Sequence, residues 1–188
     1  MRISCSLVFL ACALGAVACG SDDPTVLEPL ETPAVCRNAS VPVSSAILSA
    51  DTLFAIGIAP AMSTEQQGRV TAIWARETTA EVYVGRLIEN ASSLLELDRA
   101  IVFTVSPTRS FGVRGVRTQV RAPNDISWSG PISGEYGSVQ LVLTEKGVTG
   151  TLQSFPGGGL PTTYQFESIG GGLQAIICVD EQKFPPDD

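Results

Sequence analysis

The chain has no histidine, only two lysines (Lys146 and Lys183), and few aromatic residues, 6% of the total. Without imidazole there is no Ser–His or Cys–His nucleophile pair, no histidine base and no histidine-ligated metal or haem. Other catalytic signatures are missing as well. Residues 130–134 approach G-x-S-x-G, but nothing in the chain would activate Ser133 through an imidazole. No serine stands three residues before either lysine, no C-x-x-C occurs, and no Asp-rich stretch has calcium-loop spacing. Gly157-Gly158-Gly159 runs into Leu160-Pro161 rather than a helix start, so it reads as a hairpin loop and not a phosphate cradle. These absences predict a chain with no cofactor and no metal, and no catalyst of the acyl-transfer or metal-hydrolase kind.

The chain has 188 residues, of which 44% are hydrophobic and 16% charged, enough apolar side chain for one folded domain. Its formal charge of −7 is uneven. Residues 36–178 carry ten basic and eleven acidic side chains, whereas Asp22, Asp23, Glu28 and Glu31 make one end acidic and Asp180, Glu181, Asp187 and Asp188 the other. A nearly neutral body excludes a nucleic-acid partner held by a concentrated basic surface.

The N-terminus reads as an export signal. Arg2 precedes an uncharged, mostly apolar run over residues 3–18 that is shorter than the roughly 20 residues of a membrane span. The run Ala16-Val17-Ala18-Cys19 resembles the lipobox of bacterial lipoprotein signal peptides, although Ala16 stands where that family usually has leucine. The resemblance covers only this region. It implies that Cys19 is acylated and becomes the mature N-terminus, and Gly20, in place of aspartate, implies an outer-membrane destination. Ala16-Val17-Ala18 also fits the ordinary signal peptidase, which would leave the protein periplasmic or secreted. The expected organisation is a signal over 1–18, a lipidated acidic tether with three prolines over 19–35, one β domain over 36–179 and an acidic tail over 180–188. Once Cys5 and Cys12 leave with the signal and Cys19 is lipidated, Cys36 and Cys178 remain. Export favours their pairing as one disulfide across the domain.

Within the body the two-residue period dominates. Val116, Thr118 and Val120 alternate with Arg117, Gln119 and Arg121, which predicts one apolar and one basic, wet face. Val139, Leu141 and Leu143 lead through Glu145-Lys146-Gly147 into a returning strand from Val148. Residues 162–169, with Tyr164 and Phe166 on one face, and then Leu173, Ala175, Ile177 and Val179 complete that half. Earlier, residues 53–58 read as a strand buried on both faces, residues 70–76 and 81–88 as a hairpin, and residues 100–105 as another strand. Residues 87–97 read as a turn, with a short helix as the alternative. The expectation is an all-β antiparallel sandwich or closed barrel of about nine or ten strands, and the hairpin pattern resembles that of small exported β-barrels.

Candidate binding residues are few. Arg109, Arg114, Arg117 and Arg121 fall close together, and Arg117 and Arg121 share a strand face suited to carboxylates, sulfates or phosphates. The same charges also serve simply to discourage edge pairing. Trp74 is expected in the core. Trp128, in the turn-rich Ser127-Trp128-Ser129-Gly130-Pro131, is expected either to stack on a ligand beside Arg117 and Arg121 or to plug the loop from beneath. The functional expectation is an envelope-anchored, non-catalytic β domain with a binding or structural role, its partners the membrane through the lipid and an envelope glycan or protein. The alternatives are a barrel carrying a small apolar ligand and a glycan hydrolase using two of Asp125, Glu135 and Glu167.

Overall fold

The computed structural model describes residues 51–56 and 60–184. The signal and tether expected from the sequence lie outside them, as do Cys36 and the last four residues. Eleven strands and two helices follow in the order β1 (Asp51–Thr52), β2 (Phe54–Ala55), α1 (Thr64–Trp74), β3 (Thr79–Leu87), α2 (Ala91–Leu94), β4 (Ala100–Ser106), β5 (Arg109–Arg114), β6 (Arg117–Ala122), β7 (Asp125–Pro131), β8 (Tyr136–Thr144), β9 (Gly147–Phe155), β10 (Thr162–Gly170) and β11 (Leu173–Val179). The chain is all-β in class. Eight strands in the order β2-β3-β11-β10-β9-β8-β7-β6 form a sheet curled into a half-barrel, and β1-β4-β5 form a second, three-stranded sheet.

The hollow of the large sheet and the inner face of the small one share a core. Ile101, Phe103, Val105, Phe111 and Val113 of the small sheet meet Trp128, Leu141, Leu152, Tyr164, Phe166 and Ile176 of the large one. Phe103 lies 5.8 Å from Trp128 and 6.1 Å from Phe166, ring centre to ring centre. A bridge from Val113 to Ile132 and a hydrogen bond from Ser133 N to Gly112 O (2.7 Å) bring β5 onto the strand end at β7. Gly130 permits this approach, because a Cβ there would stand 2.2 Å from the Arg114 carbonyl oxygen.

Helix α1 corrects the strand expected over 70–76. Ser63 accepts a hydrogen bond from Gln66 N (3.2 Å), and Gln66 Oε1 accepts one from Ser63 N (2.8 Å), a reciprocal cap that starts the helix. Its inner side, with Ile73, Val70 and Met62, covers Leu173, Ala175, Ile177 and Val179 on the outer face of β11. Every position of β11 is therefore buried. Trp74 falls on the other side of the helix at 49% exposure and is not a core residue. Replacing Ser63 with alanine should cost about 1 kcal/mol. Urea unfolding of Ser63→Ala should show a lower midpoint with an unchanged slope, and an unchanged midpoint would contradict the role given to the cap.

Other departures are local. The described part of the strand expected over 53–58 is not continuous: the chain changes sheet at Leu53, where Leu53 and Phe54 are both fully buried, and residues 57 and 58 lie outside the described residues. Residues 91–94 form a single helical turn that drives Ala91, Leu94 and Leu95 into the core. Beyond β11, Asp180 is buried, its N–H donates to Thr78 O (2.8 Å), and its side chain caps a 3₁₀ turn over Glu181–Lys183. Residues 180–183 of the expected acidic tail thus form a capped 3₁₀ turn directly after β11.

Candidate functional site

Helix α1 covers the outer face of the large sheet only over β3, β11 and β10. Among the described residues nothing covers the outer face of the meander β6–β9, and register decides which side chains stand there. Two rows cross the four strands. Arg117, Ser129, Gln140 and Thr151 lie opposite one another in turn, and Gln119, Ser127, Val142 and Thr149 form the next row. Strands pair about 4.8 Å apart, so hydroxyl, amide and guanidinium groups recur at that spacing across the face. These residues line an open trough of about 510 Å³. The pleat sends their neighbours Ile126, Trp128, Val139, Leu141, Val148 and Leu152 into the hollow. The turn that sets the β8–β9 register carries Gly147 at φ 121°, where a side chain would be strained.

Arg117 lines this trough and, among the described residues, has no carboxylate within ion-pair distance. Arg121 is exposed and lies 3.8 Å from Asp125 at the β6–β7 turn. Trp128 does not join them. It is 2% exposed, in the middle of β7 rather than in a turn, and its Nε1 donates to Glu96 O (3.3 Å). Its partner across the ladder is Thr118, so it points to the face opposite Arg117. The proposed grouping of Arg117, Arg121 and Trp128 is corrected on this ground. The apolar face expected on β6 is not buried either: Val116 and Val120 remain 58% and 62% exposed because β6 is the edge of the sheet.

The three carboxylates considered for hydrolysis are dispersed. Asp125 sits beside Arg121, Glu135 accepts a hydrogen bond from Ser154 Oγ (2.9 Å), and Glu167 takes both guanidinium nitrogens of Arg76 next to α1. That contact raises the Arg76 pKa, chiefly through the hydrogen bond to Glu167. Among the described residues no three His, Cys, Asp or Glu side chains converge as a metal site would need.

Sequence reading missed a second cluster, inside the hollow. Arg109 opens β5 yet is only 4% exposed. Its guanidinium lies 4.7 Å from the centre of the Phe111 ring and makes long hydrogen bonds to Tyr164 Oη (3.5 Å) and Ser154 Oγ (3.4 Å), while its Nε has no partner. Burial pushes the Tyr164 phenol above its ordinary 10.0, Arg109 pulls it back in part, and Glu81 and Glu135 push it up. A phenol with a raised folded pKa contributes stability that is complete below pH 10.0 and is lost as the pH climbs beyond it. Alkaline absorbance titration of the native protein should therefore show a late phenolic step that Tyr164→Phe removes. A titration unchanged by that substitution would contradict the assignment. Nothing in the spacing of the four arginines separates the buried one from the rest, but a charged residue just before an apolar Phe111–Val113 run was the available signal.

Comparison with known proteins yields no match to any family model, any curated protein or any solved structure.

Proposed function

We propose that this protein is an envelope lipoprotein, held by an acylated Cys19, whose non-catalytic β domain binds an acidic, hydroxyl-rich glycan on its bare outer face. The observation that carries the reading is the trough over β6–β9, in which polar side chains from four strands stand in register and Arg117 has no ion pair among the described residues. Hydroxyl and amide groups can both donate and accept, which suits sugar hydroxyls, and an arginine fork suits a carboxylate. The rival carrier reading has less support. The hollow is filled by Phe54, Phe103, Phe111, Trp128 and Phe166, each at most 3% exposed. For the hydrolase reading, Asp125, Glu135 and Glu167 are each engaged by a different side chain, Arg121, Ser154 and Arg76, and do not pair with one another.

In this reading Cys36 and Cys178 form a disulfide. Cys178 is buried on β11, and Cys36 lies outside the described residues. Non-reducing peptide mapping should recover one cross-linked pair, and two alkylated thiols would refute the pairing. Replacing Cys19 with alanine should move the protein from the membrane fraction to the soluble one, and wild type already found in the soluble fraction would refute the anchor. For the binding face, Arg117→Ala with Gln140→Ala should weaken retention on isolated envelopes without changing Tm. Unaltered retention would remove the face from the account.

A further inference from the structure

The trough does not end at its two polar rows. The β8–β9 register runs without a shift from Thr144↔Gly147 to Tyr136↔Phe155. Gln140/Thr151, Ser138/Gln153 and Tyr136/Phe155 are therefore successive pairs on the same outer face. Ser138 and Gln153 are exposed. Tyr136 is 82% exposed and Phe155 37%, so two aromatic rings are placed in water at the end of a polar ladder. They line an open cleft of about 470 Å³ together with Gly134, Glu135 and Gly157.

We propose that Tyr136 and Phe155 form an aromatic subsite in line with the trough, and that the ligand is an extended, carboxylate-bearing glycan lying along β8 and β9. The inference rests on the glycan reading of the trough and adds the ligand's length and direction. Four residues of strand at about 3.4 Å each separate the aromatic pair from Gln140/Thr151 by about 14 Å, further than one sugar ring reaches. Aromatic faces stack on the apolar face of a sugar ring, the intervening Ser138 and Gln153 offer hydrogen bonds, and the guanidinium of Arg117 takes a carboxylate. The charge pattern favours an acidic chain over a neutral one, because Arg117 on this face has no ion-pair partner among the described residues while Arg121 has Asp125. A cross-strand aromatic pair also steadies a hairpin without any ligand, and the test must separate the two roles.

The test is isothermal titration of the full chain with digalacturonate and hexagalacturonate, with cellohexaose and hexaglutamate as controls. The hexamer should bind about tenfold more tightly than the dimer, an increment within the range of aromatic contacts. Tyr136→Ala with Phe155→Ala should abolish that increment and leave dimer binding unchanged, whereas Tyr136→Phe should keep it. Arg117→Ala should weaken both acidic ligands, and cellohexaose should bind less well than hexagalacturonate. Equal affinity for dimer and hexamer would overturn the aromatic subsite and leave the trough standing. Failure of both to bind would overturn the glycan reading itself, and hexaglutamate binding as tightly as the hexasaccharide would replace the glycan by an acidic peptide.

Discussion

Trp128→Ala is expected to be among the most damaging substitutions, lowering the unfolding free energy by about 3–5 kcal/mol. The indole sits between the two sheets, 5.8 Å from Phe103, and its N–H is held by Glu96 O, so truncation empties the core and strands a carbonyl. Gly115 adds to the constraint: a Cβ there would stand 2.5 Å from the indole nitrogen, leaving little slack for the site to refill. Trp74→Ala is the control, since Trp74 is 49% exposed on the outer side of α1 and should change stability by less than about 0.5 kcal/mol. Denaturant unfolding of both variants checks the pair. Equal losses would contradict the placement of the two tryptophans.

Arg109→Met should stabilise the fold. Replacing buried charged groups by apolar side chains of similar volume is often neutral or gains about 1–4 kcal/mol, provided that no partner charge is left buried and uncompensated, and among the described residues no carboxylate lies within ion-pair distance of Arg109. Here the guanidinium has an unpartnered Nε and two hydrogen bonds at the long end of the range. The loss of its contact with Phe111, worth about 1–2 kcal/mol for a desolvated cation over a ring, and of the long hydrogen bond to the buried Tyr164 Oη reduces the gain to about 1 kcal/mol. Glu135 is half-buried and can turn to water when its link through Ser154 to Arg109 is gone. The same substitution removes the charge that restrains Tyr164, so the late phenolic step should move to still higher pH. A loss of stability, or an earlier phenolic step, would contradict this account of the cluster.

These sites show which features the sequence carries. Strands β8, β9 and β10 were legible because a single apolar period of two meets one buried face, β11 because Leu173, Ala175, Ile177 and Val179 alternate although both of its faces are buried, and Gly147 marks the turn between β8 and β9. Helix α1 was not, because Val70, Ala72 and Trp74 also alternate. The deciding signal was the Ser63–Gln66 cap, a local feature lying before the ambiguous run. Strand β7 hid behind Ser127, Ser129 and Gly130, whose small size reflects a wet outer face and a close backbone crossing rather than a turn. Arg117 was found because it is charged on an alternating strand. Its true neighbours, Ser129, Gln140 and Thr151, come from three other strands and are set by register, which no single strand encodes. The aromatic pair Tyr136 and Phe155 is likewise nineteen positions apart in the chain and adjacent only through the β8–β9 ladder.

The central claim is that the outer face of β6–β9 is a recognition surface. Backbone amide shift mapping during titration with hexagalacturonate tests it most directly. The account predicts perturbations along Arg117–Gln119, Ser127–Ser129, Tyr136–Val142 and Thr149–Phe155, with α1, Arg109, Phe111 and Tyr164 unmoved. Shifts confined to the α1 side of the molecule, or none at saturating ligand, would contradict it.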